Sequence, residues 1–294
     1  MIKVDHLTKT YTNGNGIFDV SFEVNKGEVF GFLGPNGAGK TTTIRQCLGF
    51  TNANSGSCTI NGLDSRAHSD IIHKNLGYLP GEIAFFDDMT GLQYFDFIQA
   101  LHGYKDKTLR NDLIKRFELE SDRKIKKMSK GMKQKVALIS AFMNNPDVII
   151  LDEPTSGLDP LMQQRFIEFI LEQKILGKTI LMSSHMFEEV ERTCERVAII
   201  KEGRIVATEK IKDLKEKIQK QYVVTTKDKS SIQKLFKSNL ECHQVNSHQV
   251  EITLHNNTQE MLEVLGSCQI ESIDSIHQSI EQIFISYYGK GVSL

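Results

Sequence analysis

The sequence predicts an α/β fold with a parallel sheet over its longer N-terminal part, followed by a small α+β unit. Three observations predict it. Short apolar segments with strand character alternate with helix-patterned segments up to about residue 210, as they do when crossover helices connect parallel strands. All five prolines lie at or before Pro160, so the composition changes along the chain. The tail then runs strand, helix, strand, strand, helix, strand, the split βαβ order. These features divide the chain into residues 1–210 and 211–294.

Taken in order, Phe18, Val20, Phe22 and Val24 alternate with other residues as in a half-buried strand. Glu28–Leu33 reads as a more deeply buried strand entering a glycine-rich turn, and a helix is expected over Gly39–Leu48. Further strands fall at Leu76–Leu79, Val148–Leu151, Thr179–Met182 and Arg196–Ile200, with helices at Pro160–Leu176 and Met186–Cys194 between them. From about 85 to 145 the pattern is purely helical. Thr90 is a candidate N-cap, Leu92, Phe95 and Ile98 recur at helical spacing, and Gly103 fits the stop. This is read as an inserted helical subdomain. A Lys-rich amphipathic stretch, Glu209–Gln221, leads into the tail. There strands are expected at Tyr222–Thr226, His243–Val245, Gln249–Leu254 and Ile270–Asp274, helices at Ser230–Lys237 and Thr258–Leu265, and a closing helix at Ser279–Tyr288.

Composition excludes several classes. With 294 residues, 39% hydrophobic and 25% charged, the chain is an ordinary globular protein, neither disordered nor collagenous. Its net charge of −1, from 36 Lys+Arg against 37 Asp+Glu, gives no cationic surplus for sequence-independent nucleic-acid binding, so no nucleic-acid partner is expected. The five cysteines, Cys47, Cys58, Cys194, Cys242 and Cys268, form no CxxC pair and fit free thiols in the cytoplasm. Val136–Phe142, an apolar run interrupted by Ser140, falls far short of the roughly 20 residues a spanning helix needs, and Met1 opens directly into a strand-like segment rather than a secretion signal. The four histidines His243, His248, His255 and His277 lack tight metal-ligand spacing.

The chemistry is concentrated in a few motifs. Gly34-Pro35-Asn36-Gly37-Ala38-Gly39-Lys40-Thr41-Thr42 fits GxxxxGK[ST] and sits between a buried strand and a helix, where a phosphate cradle must sit. Its glycines let successive backbone N–H groups face phosphate oxygens, and the helix N-terminus adds partial positive charge. Lys40 reaches the β/γ oxygens, and the Thr41 hydroxyl can ligate Mg²⁺. Val148-Ile149-Ile150-Leu151-Asp152-Glu153 is an apolar strand ending in two carboxylates, with Asp152 expected beside Mg²⁺ and Glu153 near an attacking water.

With these two motifs, Ser129-Lys130-Gly131-Met132, Ser156-Gly157-Leu158-Asp159 and His185 follow in matching order, and over about residues 1–210 the chain resembles an ATP-binding cassette (ABC) ATPase. The resemblance implies a P-loop NTPase fold with an antiparallel β subdomain and an inserted helical subdomain. It implies ATP and Mg²⁺ as cofactors and hydrolysis to ADP and phosphate. The tail resembles more loosely an accessory domain of some exporter-type members.

Carried over residue by residue, the resemblance makes Tyr11 the adenine-stacking aromatic and Ser129 with Gly131 the signature that faces the γ-phosphate of a partner subunit. Asp159 then communicates across the dimer, and His185 contacts the γ-phosphate and the catalytic water. The signature departs from the family's LSGGQ, with Lys130 and Met132 at two of its positions. Gly81 occupies the place of the family's glutamine that reaches Mg²⁺, with Glu82 or a water as its substitute. The implied protein is a cytoplasmic subunit, peripheral on the cytoplasmic face of the cell membrane, that forms a homodimer or heterodimer and powers a separate transmembrane permease, for export. Two other readings stay open. One is a soluble ATP-driven mechanical protein acting on ribosomes or DNA. The other is a non-hydrolysing nucleotide sensor, against which Lys40, Asp152, Glu153 and His185 argue.

Overall fold

The chain opens with β1 (Ile2–Thr10) and β2 (Gly16–Val24), an antiparallel pair. The computed structural model describes residues 1–86, 88–216, 220–254 and 257–276 and divides into two units, Met1–Ile211 and the chain from Lys212 onward. After β2 come β3 (Val29–Leu33), α1 (Lys40–Cys47), β4 (Ser55–Ile60), β5 (Leu63–Asp64), α2 (Ser69–Ile72) and β6 (Leu76–Leu79). The helical stretch comprises α3 (Gly91–Leu101), α4 (Thr108–Arg116) and α5 (Lys130–Phe142), with a 3₁₀ turn at Ile125–Lys127. The unit continues through β7 (Val148–Asp152), α6 (Pro160–Ile175), β8 (Thr179–Ser184), α7 (Phe187–Thr193), β9 (Arg196–Lys201) and β10 (Arg204–Lys210).

Two sheets build this unit. The first has the order β2-β1-β4-β5 and is antiparallel throughout. The second has the order β10-β9-β3-β8-β7-β6, parallel except for the β9–β10 edge pair. Every residue of β3, β7 and β8 is buried, as expected for strands covered on both faces. Because β3, β8 and β7 are neighbours and parallel, their carboxyl ends share one edge, the usual place for ligands in such sheets. Gly34 therefore follows Leu33, which pairs with Ser184, while Asp152 pairs with Ser183.

The alternation expected in β2 holds for Val20, Phe22 and Val24 but breaks at Phe18, where Ile17 is the inward residue. A β-bulge explains the slip: Leu7 pairs with Val20 but Lys9 with Ile17, and Asp19 takes a φ of 57°. In the helical stretch, Thr90 caps α3 through a capping box, its Oγ1 accepting from Gln93 N at 3.2 Å while its own N–H donates to Gln93 Oε1 at 2.9 Å. Gly103 follows the helix with a φ of 71°, the left-handed stop.

The stretch expected as one amphipathic segment, Glu209–Gln221, is divided between the end of β10, α8 (Ile211–Glu216) and the start of β11 (Lys220–Thr226). Edge pairing with β9 draws the first two of its residues into the sheet. The second unit adds α9 (Lys229–Lys237), β12 (Glu241–Gln244), β13 (Gln249–Leu254), α10 (Thr258–Gly266) and β14 (Ile270–Ile276). Its sheet is antiparallel with the order β12-β13-β11-β14, the split βαβ topology. Val224, Val250 and Ile252 from one sheet face pack with Ile232, Leu235, Met261 and Leu265 from the helices. The closing helix expected at Ser279–Tyr288, with His255 and His277, lies outside the described residues. Among those residues no helix is long and apolar enough to cross a membrane.

Candidate nucleotide site

The loop Gly34–Gly39 turns from β3 into α1 with Gly39 at a φ of 110°, a conformation that favours glycine, and a Cβ there would come 2.7 Å from the Ile17 side chain. This turn sends Lys40 back beneath the loop. Its Nζ donates to Gly34 O at 2.7 Å and Pro35 O at 3.1 Å and stands 3.3 Å from Glu153 Oε1, with only 5% of the residue exposed. Ala38 N donates to Pro35 O at 3.2 Å and tightens the same loop.

A cleft of about 220 Å³ opens over this loop. Tyr11, Asn15 and Gly16 line one side; Asn36, Gly37, Gly39, Lys40, Thr41 and Thr42 form the floor; Glu153 closes it. An aromatic ring, a row of backbone N–H groups at a helix N-terminus, one ammonium and one carboxylate thus face a single space. That set suits a base, a polyphosphate and a hydrolytic water.

Beside the cleft the carboxylates are held firmly. Asp152 is fully buried; Thr41 Oγ1 donates to its Oδ2 at 2.7 Å, and Ser183 Oγ donates to its Oδ1. Glu153 sits in the left-handed region, φ 51°, a strained conformation for a non-glycine residue. Its N–H donates to Ser183 O at 3.2 Å and Ser183 Oγ at 3.1 Å, and its Oε2 lies 3.1 Å from His185 Nδ1. Glu153 therefore touches Lys40 with one oxygen and His185 with the other.

Ser129, Gly131 and Asp159 do not line this cleft. Ser129 N-caps α5, its Oγ accepting from Met132 N at 3.2 Å, and Asp159 N-caps α6 through Met162 N at 3.0 Å, with Pro160 at the first helical position. Gly131 packs on the loop before α6, where a Cβ would approach Gly157 O to 2.7 Å, and the aliphatic stem of Lys130 covers Gly157. Gly81 lies against the other motif: a Cβ there would come 3.1 Å from Asp152 Oδ2. Glu82 beside it is exposed.

A family profile described as ABC transporter matches residues 17–156. An uncharacterized ABC transporter ATP-binding protein of Methanocaldococcus jannaschii is 38% identical over 222 residues, covering 74% of this chain and 80% of that protein. The chain belongs to the ABC transporter ATP-binding protein family. The Nod factor export ATP-binding protein I of Burkholderia thailandensis is 36% identical over 211 residues, covering 70% of this chain and 69% of its own. A solved ATP binding subunit of an ABC transporter shares the fold, with a TM-score of 0.68 and 32% identity over 74% of this chain and 92% of that one. This ABC ATPase accordingly binds ATP and hydrolyses it.

Two polar residues that sequence reasoning passed over brace the ABC site. Gln134, buried in α5, donates to Glu153 O at 3.3 Å and Pro154 O at 2.7 Å. Its signal is a polar side chain on the same helical face as Leu138. Glu189, in α7, is 3% exposed and accepts hydrogen bonds from Ser184 Oγ at 2.8 Å and Thr155 Oγ1 at 3.2 Å. Its neighbours Glu188 and Glu191 disguise it as part of a solvated acidic face.

Burial pushes the Glu189 carboxyl up to about 7, against the two hydroxyls that favour its charged form, with the charge of Glu153 adding to the rise. An unfolded glutamate near its ordinary 4.5 gives up its proton first as pH rises. Between those values the unfolded chain binds fewer protons than the folded one, so this group's contribution makes stability fall with rising pH and level off above 7. The fall amounts to roughly 3 kcal/mol at 1.36 kcal/mol per unit. Glu189→Gln removes it. Thermal melts are expected to show the variant gaining on wild type between pH 5 and pH 8; an unchanged gap would contradict the assignment.

Proposed function

We propose that this ABC ATPase drives export through a separate transmembrane permease, working as an ATP-dependent dimer. The observation that carries the reading is the composition of the cleft. It gathers Tyr11, the Gly34–Thr42 loop and Glu153 but none of Ser129, Gly131 or Asp159. One chain thus carries two half-sites that a second copy, or a related ATPase, arranged head to tail would complete twice. Similarity to a protein named for Nod factor export supports the direction.

In this reading Tyr11 stacks on adenine, backbone N–H groups of Asn36–Thr42 cradle the phosphates, and Lys40 neutralises their charge. Ser129 and the N-terminus of α5 from the opposite copy face the γ-phosphate. Glu153 orients and deprotonates the attacking water, while His185 holds Glu153 and the phosphate in register. Mg²⁺ fits this donor set, because Thr41 Oγ1 and the buried Asp152 Oδ2 are hard oxygen atoms side by side. When bound it supplies charge neutralisation at the β- and γ-phosphates. With glycine at position 81, no side chain from that position reaches past Asp152 toward the ion.

A second cleft suits the permease. Phe50, Tyr78, Tyr94, Ile98 and Tyr104 line a space of about 220 Å³, and Phe50 is 53% exposed. The cleft's Leu76, Gly77 and Tyr78 belong to β6, which runs on to Gly81 at Asp152, so pressure in this cleft has a direct mechanical route to the site. The test is to copurify the tagged chain from membranes and assay phosphate release with and without the accompanying membrane protein. A membrane partner that stimulates release is expected, with Phe50→Asp keeping basal release and losing the partner. Association with ribosomes or DNA instead, or no release from Mg-ATP, overturns the reading.

A further inference from the structure

Glu189 is an expensive group to bury. It lies in the first turn of α7, and its Oε1 has no hydrogen-bond partner among the described residues. A buried carboxyl with one oxygen unpaired lowers stability relative to an apolar or amide side chain of similar size. Stability therefore does not account for it.

Its other oxygen does something specific. Oε2 is shared by the hydroxyls of Thr155 and Ser184, which belong to the two segments carrying the hydrolytic residues. Thr155 lies two residues beyond Glu153, and its carbonyl accepts from Leu158 N at 3.0 Å, which shapes the loop leading to Asp159. Ser184 immediately precedes His185, and its Oγ also accepts from Met186 N at 2.9 Å, so its bonds straddle the histidine. The charged and titratable groups around Glu189 are Glu153 on the loop after β7, Cys194 beyond α7, and Glu188 with Arg192 along α7 itself, the last two paired at 3.4 Å. None of these neighbours makes the bridge in its place.

We propose that Glu189 is a positioning residue for ATP hydrolysis: by holding the Thr155 and Ser184 hydroxyls on one oxygen, it sets the spacing between Glu153 and His185. The inference rests on the roles given above to those two residues. Displacements of about 1 Å in such an arrangement are enough to cost up to 100-fold in rate. Nucleotide binding, carried by Tyr11 and the Gly34–Thr42 loop, lies outside the bridge.

The test uses steady-state phosphate release by the full chain with Mg-ATP, normalised to ATP-binding-competent sites. Glu189→Ala is expected to lower kcat roughly tenfold or more and leave KM within about twofold. Glu189→Gln, whose amide oxygen can accept both hydroxyls, is expected to recover to within about threefold of wild type. Combined Thr155→Val and Ser184→Ala is expected to fall as Glu189→Ala does, which also decides the matter should Glu189→Ala not fold. Wild-type kcat in the double variant or in Glu189→Ala overturns the proposal, as does Glu189→Gln being as slow as Glu189→Ala. Glu153→Gln run alongside separates the two levels. If it keeps full turnover, the hydrolytic pair itself is misassigned; if it is inactive while Glu189→Ala is normal, only the bridge fails.

Discussion

Glu153→Gln is expected to cut phosphate release by about 10²–10⁴-fold while leaving ATP affinity within about twofold. The substitution keeps size and hydrogen-bonding reach but removes the ability to take a proton. Glu153 stands between Lys40 at 3.3 Å and His185 at 3.1 Å, so one oxygen faces the Lys40 ammonium and the other the histidine. The chain holds it there against a φ of 51°, a backbone cost accepted because Ser183 anchors the Glu153 N–H through two oxygens. Strain fixed this way aims a side chain and is not needed for a merely polar strand end. Lys40, Tyr11 and the loop N–H groups are unchanged in the variant, which is why binding should survive. The measurement is single-turnover release with nucleotide binding determined separately, and near-wild-type turnover would remove Glu153 from its role.

The parts of this molecule written locally in the chain were legible in the sequence. The Gly34–Thr42 loop needs only glycines, a lysine and a helix start in succession, and β6 and β13 have the bounds their apolar patterns imply. Thr90 and Gly103 likewise act on their own helix. What was not legible depends on distant partners. Ser55–Ile60 carries little apolar signal of its own and becomes a strand by pairing with β1. The inward turn of Ile17 comes from a bulge against β1, and no period-2 pattern announces it. In the site, Asp152, Glu153 and Lys40 were readable as motif residues, whereas the bracing by Ser183, Gln134 and Glu189 arises only when β7, β8, α5 and α7 are brought together. The closeness of Gly81 to Asp152 is of the same kind: sequence shows a missing side chain, and only the fold shows that it is missing beside a buried carboxylate.

Lys40→Ala is expected to weaken ATP binding by roughly 10²–10³-fold, corresponding to about 3–4 kcal/mol for a charge-assisted phosphate contact in a partly enclosed cleft. Among the described residues lining that cleft Lys40 is the only cation, and Glu153 lies directly opposite. Removing the ammonium therefore leaves a carboxylate facing the triphosphate with no protein charge to offset it. The Gly34 and Pro35 carbonyls also lose their donor, so the loop itself loosens. Arginine is not expected to rescue: Lys40 reaches back beneath its own loop with 5% of the residue exposed, and a planar guanidinium is too broad for a pocket shaped around a point charge. Equilibrium titration with a fluorescent ATP analogue decides it. Lys40→Ala binding within threefold of wild type would mean that the loop N–H groups alone carry the phosphates, and the electrostatic account of the site would have to be rebuilt around them.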